Sequence, residues 1–196
     1  MTPVVDFALK QTEVDAEKLA LMGISFGGYL APRAVAFEHR IKACIVNGGV
    51  YDFYDNVVRK IPENIEEILT NKKASEEFNK DIYKAMKTDI TVGWFFGNGM
   101  WVFGAKGPSE LIQMLKPYNM KNVADKITCH MLVVESEKDQ DMPGQAKQLY
   151  DALECPKDFM LFTVEEGAEE HCQVGATMIS NERILNWLDE TLKKTK

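Results

Sequence analysis

The sequence predicts an α/β protein: a short parallel sheet of about four strands, flanked by helices, with a helical insertion between the second and third strands. Three observations carry this. Short continuous apolar runs begin at Leu19, Ile41, Cys129 and Phe159, and each has the length of a strand buried on both faces. Helical patterns follow these runs, as crossover helices follow parallel strands. From Tyr51 to about Asp125 no strand pattern occurs. The expected organisation is a core made of 1–50 and 126–196, with 51–125 as a helical lid insertion.

Taken in order, Pro3 to Gln11 reads as a short helix with proline in its first turn. Thr12 to Lys18 is a polar loop, and Leu19 to Met22 is a buried strand. A helix from Phe26 to about Glu38 contains Pro32, which removes one backbone bond. Ile41 to Val46 is the second strand, ended by Asn47-Gly48-Gly49. In the insertion, Ile61 to Thr70 and Ala74 to Lys87 have charged helical patterns. Thr91 to Phe103 carries aromatic residues among glycines, and Pro108 to Leu115 starts as a helix. The alternation then returns with a strand at Cys129 to Val134, a helix from Pro143 to about Leu153, and a strand at Phe159 to Val164. A loop over Glu165 to Gln173 precedes an amphipathic helix from about Met178 to Leu192.

Composition narrows the function classes. Among 196 residues, 45% are hydrophobic and 27% charged, which is ordinary for a globular domain. The net charge of -7 argues against nucleic acid as a partner. The uncharged stretch from Ile90 to Ala105 is glycine-broken and shorter than the ~20 residues of a spanning helix, so no membrane partner is expected. Cys44, Cys129, Cys155 and Cys172 lack metal-type spacing, and Cys44 and Cys129 lie in apolar runs. No metal and no cofactor is expected, and a reduced, cytoplasmic setting is the default. The N-terminus lacks the pattern of a signal peptide.

Chemistry concentrates at Gly23-Ile24-Ser25-Phe26-Gly27, between an apolar run and a small-residue helix start. A strand, a sharp turn at serine and a helix would form a nucleophile elbow. The helix start would direct N–H groups at an oxyanion. Serine is a poor nucleophile at its own pKa and needs a base, whose tautomer a carboxylate must hold. Two later strand-exit loops offer both groups. Glu135 to Pro143 supplies carboxylates, with Asp139 and Asp141 two residues apart and Glu135 and Glu137 nearby; Glu165 to Cys172 supplies His171. Of the other histidines, His39 reads as a surface cap at the end of the helix and His130 as a packed core residue. Trp94, Phe95, Met100 and Trp101 are candidates to line an apolar acyl pocket, and read equally well as core of the insertion.

Val14 to Tyr29 resembles the elbow segment of α/β-hydrolases of the prolyl-oligopeptidase and acylaminoacyl-peptidase type. Arg40 to Asp52 and Glu166 to Cys172 are similar to a narrower branch. That branch includes FrsA-like esterases, pseudooxynicotine hydrolase and a fungal pigment chain-shortening hydrolase, and some members cleave carbon–carbon bonds beside a ketone. The resemblance implies a partial α/β-hydrolase fold and a serine hydrolase with Ser25 as nucleophile, His171 as base and Asp139 as acid. Ser136 to Pro143 is similar to the family's acid loop, and Phe26 is implied as an oxyanion-hole donor. The substrate expected is a small ester, amide or ketone.

One departure shapes a further expectation. The family places several strands before the elbow strand, whereas about eighteen residues precede it here. The loop that supplies the second oxyanion donor belongs to that region. The chain therefore looks like the C-terminal portion of a longer hydrolase, with the elbow strand at an open sheet edge. Three functions are carried forward: hydrolysis of an ester or amide, carbon–carbon hydrolysis beside a ketone with the same triad, and an inactive truncated fragment that binds or oligomerises. A homodimer or larger homo-oligomer that buries the open edge is expected.

Overall fold

Four parallel strands form one sheet in chain order: β1 (Ala20–Ile24), β2 (Ala43–Asn47), β3 (His130–Ser136) and β4 (Lys157–Phe162). The computed structural model describes residues 1–61 and 64–194. It divides into two compact units, Met1–Asp52 with Met120–Lys196, and Phe53–Asn119.

In the sheet unit, α1 (Thr2–Ala8) precedes β1, α2 (Gly27–Val35) joins β1 to β2, α8 (Gln145–Ala152) joins β3 to β4, and α9 (Thr177–Lys194) ends the chain. The register aligns the carboxyl ends, pairing Ile24 with Asn47, Asn47 with Val134, and Ser136 with Phe162. The centre of the sheet is dry: every residue of β2 is buried, as are Met131 to Val134 of β3. Ile45, Leu132, Val134, Phe162, Ala168 and Ile184 form one cluster, against which Trp187 and Leu188 of α9 pack.

The sequence-based boundaries shift by a few residues, because helix and strand ends are set by contacts that propensity does not see. α1 ends at Ala8 rather than Gln11, and α2 at Val35 rather than Glu38. Pro32 lies inside α2 and cannot donate to the Gly28 carbonyl; the Val50 N–H takes that carbonyl at 3.3 Å. The loops expected over 12–18 and 165–173 contain short 3₁₀ turns at Ala16–Lys18, Val164–Glu166 and His171–Gln173.

One expectation is overturned outright. The elbow strand was expected to be buried, yet β1 has only Gly23 buried, with Met22 and Ile24 exposed. The reason is its place: β1 is an edge strand of the sheet, as the expected open edge implies, and among the described residues one flank has no neighbouring strand to cover it.

The second unit is wholly helical among the described residues: α3 (Phe53–Val58), α4 (Ile65–Thr70), α5 (Lys72–Ala85), α6 (Ile90–Phe103) and α7 (Pro108–Leu115). Asparagine and aspartate side chains start three of these helices. Asn64, Asn71 and Asp89 accept hydrogen bonds from the first-turn N–H groups of α4, α5 and α6. Part of the helix expected from Ile61 falls on residues 62 and 63, outside the described residues. The core of this unit includes Phe78, Phe96, Leu111, Ile112 and Leu115. Where the chain leaves the sheet unit, the buried Gln145 Oε1 accepts the N–H groups of Tyr51 and Asp52, at 3.1 and 2.7 Å. Where it returns, the Met120 N–H donates to the Tyr51 carbonyl at 2.7 Å.

Candidate active site

The turn between β1 and α2 is built on close backbone approach. A Cβ at Gly23 would meet the Gly27 carbonyl oxygen at 2.0 Å, and one at Gly28 would meet the Gly48 carbonyl oxygen at 2.2 Å. Only glycine fits at either position. The residue between strand and helix is Ser25, held at φ 55, a left-handed conformation that L-residues rarely adopt. Its N–H donates to the Asn47 carbonyl at 2.9 Å, and its own carbonyl accepts from the Gly28 N–H at 2.7 Å. These bonds fix a strained residue at the carboxyl end of the sheet. Phe26 is the N-cap residue of α2, directly beside Ser25.

Two other strand exits converge on this serine. His171, in the 3₁₀ turn after β4, brings Nε2 to 2.9 Å from Ser25 Oγ. On the other side of the ring, Nδ1 lies 2.7 Å from Asp139 Oδ2, in the loop after β3. The second carboxylate oxygen, Asp139 Oδ1, accepts the N–H groups of Asp141 and Met142, each at 2.9 Å. A backbone bond from the Lys138 N–H to the Glu169 carbonyl, at 2.9 Å, joins the acid loop to the histidine loop. The Asp139 side chain is 6% exposed and that of His171 18%, so bulk water screens the pair weakly.

The electrostatics follow from these contacts. Burial alone would raise the Asp139 carboxyl, but the bonds from His171 and from the backbone hold it below its ordinary value. Burial opposes the charged imidazolium, and the bonds to Asp139 and Cys172, with the carboxylate charge, outweigh it and raise His171 above its ordinary value. Glu135 is raised, first by burial and then by the neighbouring Asp139 charge. Of the carboxylates on that loop, Asp139 makes the bond to His171; Glu137 instead accepts the Val164 N–H at 2.8 Å. Asp139, Asp141 and His171 offer ligand atoms within 4.8 Å of one another, but the Asp139–His171 bond already uses two of the three groups.

The remaining candidates divide. Trp94, Phe95, Met100 and Trp101 all lie on α6, in the helical unit. Trp94 and Trp101 are exposed; Phe95 packs edge-on against the buried Phe96, and Met100 Sδ accepts from Tyr83 OH at 3.8 Å. His39 does not cap α2, which closes earlier; it is exposed, with Nδ1 3.2 Å from Thr128 Oγ1. His130 is no core residue: at the start of β3 it is half-buried, bonds Asp158 at 2.9 Å and meets the Trp187 ring edge-on. Strand ends leave a side chain open to the rim of the sheet, which the apolar run around His130 did not reveal.

Three residues close to the reacting groups went unassigned from sequence. Cys172 Sγ is 3.3 Å from His171 Nε2, and the buried Asn47 and Gln173 bond each other. The signal was a polar residue closing each segment, Asn47 after an apolar run and Gln173 after His171. The pairing itself spans 126 positions and has no local pattern.

Comparison with known proteins agrees with the fold. The pattern of the prolyl oligopeptidase family matches residues 1–90. The chain is 27% identical over 188 residues to the hydrolase acrC of Aspergillus aculeatus, covering 92% of this chain and 44% of that protein. It is 28% identical over 196 residues to the 20-hydroxy-prefusarin hydrolase FUS2 of Gibberella moniliformis, covering 96% and 46%. The chain thus spans about half the length of the curated relatives it matches. The solved structure of 2,6-dihydroxy-pseudo-oxynicotine hydrolase superposes with a TM-score of 0.63 at 20% identity, over 97% of this chain and 45% of that one. The parallel sheet and the superposition give this chain a partial α/β-hydrolase fold, and its sequence is similar to the prolyl oligopeptidase family over residues 1–90 and to fungal hydrolases.

Proposed function

We propose that the chain carries the triad of a serine hydrolase that cleaves an ester or amide. The observation that supports it most is the unbroken line of contacts from Ser25 Oγ through His171 to Asp139, at 2.9 and 2.7 Å. In this reading Ser25 attacks the acyl carbonyl while its proton passes to His171 Nε2. Asp139 keeps the other ring nitrogen protonated and stabilises the imidazolium. His171 then gives its proton to the leaving group, and water, activated by the same nitrogen, releases the acyl group. The Phe26 N–H at the start of α2 is the proposed oxyanion donor. No step calls on a cofactor.

A fluorophosphonate probe tests this reading, because it labels only an activated serine. Labelling of the wild type and not of Ser25→Ala is expected; an unlabelled wild type would leave the chain as a binding or oligomerising domain. A second reading, carbon–carbon cleavage beside a ketone by the same residues, rests on the resemblance of Arg40 to Asp52 and of Glu166 to Cys172 to the branch that contains such hydrolases. Product analysis on a p-nitrophenyl ester against a β-diketone distinguishes the two. The four free cysteines suit a reducing compartment, proposed here as the cytoplasm. Among the described residues no helix is long and apolar enough to cross a membrane.

A further inference from the structure

The loop that carries His171 is tied to the sheet by a buried polar cluster that the proposed reaction does not use. Asn47 ends β2 and is 4% exposed; Gln173, two residues beyond His171, is fully buried; Ser136 ends β3 and is 4% exposed. Asn47 Nδ2 donates to Gln173 Oε1 at 2.7 Å, and Gln173 Nε2 donates back to Asn47 Oδ1 at 3.1 Å. Gln173 Nε2 also donates to Ser136 Oγ at 2.9 Å. The three residues come from the ends of two strands and from the histidine loop. Polar groups buried this deeply must be paired, and a fully paired network admits one geometry.

The same asparagine holds the serine. Its carbonyl accepts the Ser25 N–H at 2.9 Å, while its side chain holds the histidine loop. The loop needs holding: Cys172 and Gln173 are consecutive non-glycine residues at φ 51 and 53, a strained pair that turns His171 back towards the elbow. Next to Asn47, Gly48 leaves room for the ring, since a Cβ there would meet His171 Cε1 at 3.2 Å and Cys172 Sγ at 3.1 Å.

We propose that Asn47 and Gln173 are positioning residues whose reciprocal amide pair, anchored by Ser136, sets His171 against Ser25. The inference deepens the triad reading and rests on it. One residue, Asn47, registers both halves of the reacting pair, through its carbonyl and its amide. Loss of the pair frees the strained turn to relax and withdraws Nε2 from Ser25 Oγ. A displacement of about 1 Å costs about 10²-fold where geometry sets the rate.

The test uses the whole chain, with two readouts: the rate of fluorophosphonate labelling, and the titration of His171 followed by NMR of ¹³Cε1-labelled histidine, assigned by its loss in His171→Gln. In Gln173→Met, similar in length but without the amide, the maximal labelling rate falls at least about tenfold while the half-saturating probe concentration holds. The His171 titration moves to lower pH as its contact with Asp139 loosens. Asn47→Leu behaves alike, the double variant is no worse than either single one, and the exchanged pair N47Q/Q173N recovers most of the rate. If Gln173→Met lowers only the melting temperature, leaving labelling rate and titration at wild-type values, the pair is a brace and the inference falls. If the wild type is not labelled but the variants still move the titration, the inference stands and the hydrolase reading fails. Should Gln173→Met not fold, Ser136→Ala removes one bond of the cluster; unchanged labelling and titration in that variant would equally overturn the inference.

Discussion

At the scale of single residues, the proposed hydrolysis rests on Ser25, His171 and Asp139 and the burial around them. Ser25→Ala and His171→Ala are each expected to remove nearly all turnover, with the double variant little worse, because residues that act as a unit are not additive. Progress curves on an activated ester check this, and additive losses would separate the two roles. Asp139→Asn is expected to lower kcat by on the order of 10³–10⁴, the cost of the wrong histidine tautomer. It also shifts the pH profile. Asp139 raises His171 above its ordinary value, and the imidazole must be neutral to act as base. The acidic limb of kcat/KM therefore lies above about pH 6.5 in the wild type and moves down in pH in Asp139→Asn. A limb that stays in place would mean that another group titrates there.

At the scale of elements, the elbow and the sheet core answer to different forces. The turn from β1 to α2 depends on absent side chains. Gly23→Ala would drive a Cβ to 2.0 Å from the Gly27 carbonyl oxygen, a backbone atom that cannot swing aside. A loss of about 3 kcal/mol or more in urea unfolding is expected, at the upper end of overpacking costs. The core is the reverse case. Phe162, fully buried at the end of β4, fills the cluster with Ile45, Leu132 and Ile184. Phe162→Ala is expected to cost about 3–5 kcal/mol, transfer and cavity together, by the same measurement. Because Thr163 follows directly and leads to the histidine loop, this variant should also slow labelling of Ser25.

At the scale of the whole molecule, pH is the variable to probe. The raised His171 contributes stability that is complete below its ordinary value of 6.5 and is lost as pH rises through its raised one. The lowered Asp139 contributes stability that is present above its ordinary value of 3.8 and is lost as pH falls through its lowered one. The melting temperature of the wild type should therefore exceed that of His171→Gln by most between about pH 4 and 6.5, with the gap narrowing on either side. A gap independent of pH would remove the charge from the argument.

The fold was legible from sequence because its determinants are local. The apolar runs gave four strands in the right order, and the glycines on both sides of Ser25 marked a turn that admits no Cβ. The residues the structure gathers at the site were legible for a related reason: serine, aspartate and histidine each occupy a strand exit, and parallel strands bring their exits to one end. What sequence could not reveal was decided by contacts between distant segments. The apolar run of Leu19 to Met22 reads as buried on both faces, and its exposure follows from the open edge, since among the described residues β1 has a neighbour on one flank only. The roles of His39 and His130 turn on partners at Thr128 and Asp158. The amide pair of Asn47 and Gln173 exists only because the end of β2 and a loop 126 positions later meet where water is excluded. Periodicity and turn chemistry act over a few residues and can be read along the chain. Pairing of buried polar groups is a property of the assembled interior, and only the tertiary structure decides it.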